Sequence, residues 1–143
     1  MAMTDKGDYL EFYERDPTDT LKEESHQIGA FQWLTYAHPE FLAWHTKNEG
    51  DKGIATAMMD QQAGLVKGVS DFIILIGLKG RYPFAAIEMK RVNKSGKGKS
   101  SPVSKDQKAF LRRVRELGGF AAVTYGYKQF MIAVEYMINS TFC

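Results

Sequence analysis

A chain of 143 residues, 44% hydrophobic and 25% charged, has the size and balance of one soluble globular domain with a buried core. Its single cysteine, Cys143, excludes an internal disulfide framework and a thiolate zinc site, and fits a reducing compartment. The net charge of +2 hides an asymmetry: residues 79–115 hold twelve of the nineteen Lys and Arg side chains, opposed only by Glu88 and Asp106. Such clustering suits a polyanion partner, and suits an ordinary solvated face equally well.

Residues 1–19 are polar and acidic, carry no apolar signal-peptide core, and read as an N-terminal arm; residues 20–143 read as one domain. The stretch TLKEESHQIGAFQWLTY predicts a helix opened by a Thr20–Glu23 capping box, with Leu21, Ile28, Phe31 and Leu34 or Thr35 at helical spacing and Pro39 as its stop. FLAWHT (41–46) reads as a short strand and residues 54–64 as a short helix closed by Gly64. Strands follow at 71–78 and 83–90, joined near Lys79 and Gly80. RVNKSGKGKSSPVS (91–104) has no apolar period and reads as a loop.

Ser104 and Gln107 form a second capping box, opening a helix with Gln107, Phe110, Leu111, Val114 and Leu117 on one stripe and Gly118–Gly119 at its end. FAAVTY (120–125) reads as a buried strand and 127–139 as an amphipathic helix. The order predicts an α/β domain whose sheet is flanked by helices. Trp33 and Trp44 are expected in the core, and His26, His38 and His45 have no metal-ligand spacing. The longest apolar run, Phe72 to Leu78, is too short for a bilayer, so a cytoplasmic protein without membrane contact is expected. No Gly-rich phosphate loop stands between a strand and a helix, which disfavours a nucleotide-type small-molecule enzyme.

The hairpin carries the chemistry. Folded about Lys79–Gly80, its paired positions place Asp71 opposite Glu88, with Cβ atoms about 4.5–5.5 Å apart on one face. Lys90, two residues on, shares that face, while Ile87 and Met89 point into a core. Two opposed carboxylates repel, and a divalent cation removes the penalty. Oxygen ligands suit Mg²⁺ or Mn²⁺, whose chemistry is phosphoryl polarisation and acidification of water. Lys90 is then placed to hold the attacking water or steady developing negative charge. That combination is phosphodiester hydrolysis, with the basic loop and helix downstream as phosphate-backbone contacts: Arg91, Lys94, Lys97, Lys99 and Lys105. A strand-end Asp and a surface Glu-x-Lys are also ordinary features of sheets.

Gly68-Val69-Ser70-Asp71, Ile87-Glu88-Met89-Lys90 and Ser104-x-x-Gln107 together resemble the PD-(D/E)XK nuclease superfamily, and more closely the VRR-NUC family of the small stand-alone kind found in phages and bacteria. The similarity runs over residues 20–138 and includes Glu23-x-x-x-Gln27 on the first helix and Asn48-Glu49-Gly50 after the first strand. Ser70 stands where the family has proline, and Glu49 where it has glycine.

The resemblance implies a restriction-endonuclease-like core with a mixed sheet. Asp71, Glu88 and the Met89 carbonyl would be metal ligands, completed by Glu23 directly or through water. Lys90 would be the catalytic lysine, and Gln107 would reach in from its helix. Glu23 is also readable as a helix-cap acid with Glu24 as the ligand, and Gln107 as a cap alone. His45 is readable as a substrate contact or as a strand-end residue. The implied substrate is branched DNA, most naturally a four-way (Holliday) junction. Two symmetric cuts from a chain with one site imply a C₂ homodimer, for which the Phe- and Tyr-rich termini are interface candidates unless they are core. A restriction-type or other DNase acting on linear or flap DNA is the nearer alternative, and a non-catalytic nucleic-acid-binding module the more distant one. If phage-encoded, the enzyme would act in the cytoplasm of a bacterial host.

Overall fold

The computed structural model describes residues 2–46 and 54–140. Its centre is strand β5 (Phe84–Lys90), buried along nearly its whole length because both edges and both faces are covered. On one edge it pairs antiparallel with β4 (Phe72–Leu75), which pairs antiparallel with β3 (Leu42–His45). On the other edge β6 (Phe120–Tyr125) runs parallel to it. Beyond β6 lie β2 (Leu10–Phe12), parallel, and β1 (Met3–Asp5), antiparallel, giving a mixed sheet in the order β1-β2-β6-β5-β4-β3.

The period-two alternation of β5 splits the core in two. Ala85, Ile87 and Met89 join Phe12, Phe72 and Phe120 on one face, beneath Ala30 and Leu34 of helix α1 (Glu23–Ala37) and Phe130, Ala133 and Val134 of the C-terminal helix (Tyr127–Asn139). Ala86 joins Ala121 and Val123 on the other face, beneath Leu111 and Val114 of a helix spanning Lys105–Glu116. In chain order the short helix Ile54–Gln62 is α2, Lys105–Glu116 is α3 and Tyr127–Asn139 is α4. Each fully buried Phe or Leu contributes about 1.5–3 kcal/mol, so these two layers hold the sheet.

Several expectations are corrected. The N-terminal residues are not an arm: β1 and β2 complete the sheet, and Tyr9 and Phe12 are core rather than an exposed interface. The first helix begins at Glu23, with Lys22 at the cap position and no side-chain cap. The Thr20–Glu23 box does not form because the Asp19 carboxylate accepts from the Leu21 N–H (3.0 Å) and from His26 Nε2 (3.1 Å), holding Thr20–Lys22 outside the helix. The buried side of α1 is His26, Ala30 and Leu34. Leu21, Ile28 and Phe31 are 50%, 52% and 37% exposed, because they lie off that side. Trp33 packs on the core, but Trp44 lies with Leu42 and Leu75 on the part of the sheet beside α3 and is 43% exposed. The hairpin strands are shorter than predicted, since Ile76 and Gly77 both donate to the Pro83 carbonyl and the loop spans 76–83.

Candidate active site

The ladder from Leu75↔Phe84 to Phe72↔Ile87 sets Asp71, one residue before β4, opposite Glu88. The two side chains lock the strand ends crosswise. Met89 N–H donates to Asp71 Oδ2 (2.7 Å), and Asp71 N–H donates to Glu88 Oε2 (3.2 Å). Thr46 N–H holds the Asp71 carbonyl (2.7 Å). Strand alternation turns the Met89 carbonyl to the same edge as its N–H, toward Asp71. Asp71 and Glu88 are 6% and 3% exposed.

Lys90 is 3% exposed, and its carbonyl is pinned by Gly126 N–H (2.9 Å). Its ammonium donates to Ser101 Oγ, the Pro102 carbonyl and Gln107 Oε1, each at 3.3 Å. Gln107 serves as cap and site residue together. Its backbone N–H and side-chain oxygen complete the box with Ser104 (3.1 and 2.9 Å), while its Nε2 donates to Glu88 Oε1 (2.8 Å). The N-terminus of α3 reaches the site because residue 68 is glycine. A Cβ there would stand 2.3 Å from the Asp106 backbone, and its φ of +76° favours glycine in any case.

Burial, then the neighbouring Asp71, pushes the Glu88 carboxyl up to about 9, with Lys90 opposing. Burial also raises Asp71, against the pull of the Met89 N–H, His45 and Lys90. Glu23, half-buried on α1, is raised by burial and by Asp71, whereas Glu24 beside it is exposed. Glu23 accepts from Gln27 Nε2 (3.2 Å). One ammonium among three carboxyls, each raised chiefly by burial, leaves the site short of positive charge. Among the described residues no three His, Cys, Asp or Glu side chains cluster to hold an ion, so Glu23 stands apart from the Asp71–Glu88 pair. Two carboxylates and a carbonyl nonetheless fit Mg²⁺ or Mn²⁺, which keep waters and take one or two carboxylates plus phosphate oxygens.

These groups open into a cleft of about 770 Å³, walled along α1 by Glu23, Glu24 and Gln27 and by the apolar Ile28 and Phe31; His45 lines it too. Asn48-Glu49-Gly50 lies outside the described residues. Of the basic residues read from sequence, Lys94, Lys97, Lys99 and Lys105 are exposed. Arg91 donates to the Thr20 carbonyl (2.8 Å) and packs over Gly98. Lys94 pairs with Glu11 (2.6 Å) and lies over the rings of Tyr13 (4.4 Å) and Tyr125 (5.1 Å), so its ammonium is held and partnered although its side chain is 39% exposed. Ser101 and Pro102, the acceptors that hold Lys90, carry no motif in the sequence. Their only signal is nearness to the Ser104 cap.

No curated protein matches the chain. A solved structure described as a VRR_NUC domain protein shares the fold, with a TM-score of 0.65 over 86% of this chain and 93% of that one, at 19% identity. The domain described as VRR-NUC matches residues 21–128, from just before α1 to the first turn of α4, and takes in every site residue above. With that match over most of its length, the chain belongs to the VRR-NUC family, nucleases of the PD-(D/E)XK type.

Proposed function

We propose that this protein is a divalent-metal-dependent endonuclease that hydrolyses phosphodiester bonds in branched DNA. The observation that carries the reading is the convergence of Asp71, Glu88 and Lys90, all nearly buried, at the head of one open cleft. Asp71, Glu88 and the Met89 carbonyl would hold Mg²⁺ or Mn²⁺, which when bound supplies phosphoryl polarisation and a more acidic water. The chain's own groups do the rest. Lys90, aimed by Ser101, Pro102 and Gln107, presents a fixed ammonium to the charge that develops on phosphate. Gln107 keeps Glu88 and Lys90 in register through one amide. Glu23 adds negative field, or a water-mediated contact, from α1. Lys97, Lys99 and Lys105 contact the backbone outside the cleft.

A four-way junction is the proposed substrate, cut by a homodimer that brings two symmetric sites to it. The described residues hold little structure beyond the nuclease core with which to read bases, which favours recognition of shape. Wild type and Asp71→Ala, incubated with Mn²⁺ and immobile junction, flap and linear duplex side by side, test the proposal. Paired cuts near the junction centre by wild type alone support it. Preferential cutting of linear duplex or flaps would replace the substrate, and junction binding without metal-dependent cutting would replace the enzyme with a binding module.

A further inference from the structure

We infer that a second groove, beside the catalytic cleft and walled by the N-terminal hairpin, binds the phosphodiester backbone of the DNA arm leaving the site. The inference rests on the nuclease reading above and assigns a place to the strand that reading leaves unplaced. The groove has a volume of about 480 Å³ and meets the cleft at Ser101, which lines both. Because Ser101 Oγ also accepts from the Lys90 ammonium, a strand crossing that residue passes directly from the reacting centre into the groove.

Three exposed lysines stand around it from three separate elements: Lys6 in the β1–β2 turn, Lys99 in the 91–104 loop and Lys108 on α3. The acids present are already matched. Asp8 accepts from Arg112 Nε (2.9 Å), and the buried Glu11 is held by Lys94 (2.6 Å), with Lys6 at 3.9 Å. The surplus is therefore positive, and its geometry is set in advance. Arg115 grips Asp5 and the Gly7 carbonyl (2.9 and 2.7 Å), tying the Lys6 turn to the same helix that carries Lys108. Lysines fixed on separate elements around a trough suit a chain of phosphates, which needs several cations at intervals, better than one small anion.

The test measures affinity and its salt dependence for an immobile four-way junction, all in the Asp71→Asn protein so that binding is read without cutting. Lys6→Ala/Lys99→Ala/Lys108→Ala is compared with Lys79→Ala/Arg81→Ala/Arg113→Ala, which removes equal charge from the far end of the sheet. Loss of about tenfold or more in affinity, with the slope of log K against log salt shallower by about 2–3, is expected for the groove triple alone. Equal loss in both triples, or none in the groove triple, overturns the groove and leaves the nuclease reading standing. Failure of the Asp71→Asn parent to bind any DNA, together with failure of wild type to cut, overturns both.

Discussion

The two ends of β5 share one strand and one sheet face, and they do opposite work. At the start, Phe84 and Ala86 pack in an apolar cluster with Leu111 and Val114 of α3. Four residues later, Glu88 and Lys90 point to the same side, and α3 meets them with Gln107 instead of leucine. The other face does not change: Ala85, Ile87 and Met89 are apolar from end to end. The first half of the strand is therefore built for stability. The second half gives stability up, burying two carboxyls against each other where an apolar pair would cost nothing.

The largest effect belongs to the charged end. Asp71→Asn, Glu88→Gln or Lys90→Ala should slow junction cleavage by about 10²–10³-fold or more while the protein stays folded, as rate assays beside circular dichroism would show. Leu111→Ala at the apolar end should do the reverse. It should cost about 2–5 kcal/mol in denaturant unfolding yet leave the cleavage rate near wild type at a temperature where the variant is folded.

A smaller effect follows from the raised Glu88 carboxyl. Its folded value of about 9 against an ordinary 4.5 means the native state holds a proton that the unfolded chain has released. That stability is whole below pH 4.5 and drains as pH climbs through 9. With chelator present, the wild-type Tm should fall across this interval, and Glu88→Gln should flatten the fall and melt higher at pH 8. The smallest effect is at Ser101. Ser101→Ala removes one of the three acceptors of the Lys90 ammonium, and should lower kcat about tenfold or less with little change in KM or stability.

What the sequence disclosed follows the same contrast. Register in a hairpin is set by side-chain period and loop position, so the Asp71–Glu88 pairing could be read from residue numbers alone, although the loop proved longer than drawn. The Ser104–Gln107 box is local and was equally legible; that its glutamine reaches into the site was implied only by the family resemblance, and its bridge between Glu88 and Lys90 is tertiary. Strands β1 and β2 are short, polar in part, and owe their place to a parallel partner more than a hundred residues on, so no local pattern marks them. The α1 stripe held at Leu34 but misled at Ile28 and Phe31, which face the cleft, while His26 and Ala30 share the packing with Leu34. Lys94 looked like a loop cation since nothing in its neighbourhood announces Glu11, Tyr13 and Tyr125.

The claim beneath all of this is that the carboxyl pair is built for a cation and not for the fold. Thermal melting with and without Mn²⁺, in wild type, Asp71→Asn and Glu88→Gln, tests it most directly. Wild type should melt higher as Mn²⁺ is added, following RT ln(1 + [L]/Kd), and both variants should lose that response. A wild-type Tm indifferent to Mn²⁺, or variants that gain as much from it as wild type does, would contradict the account.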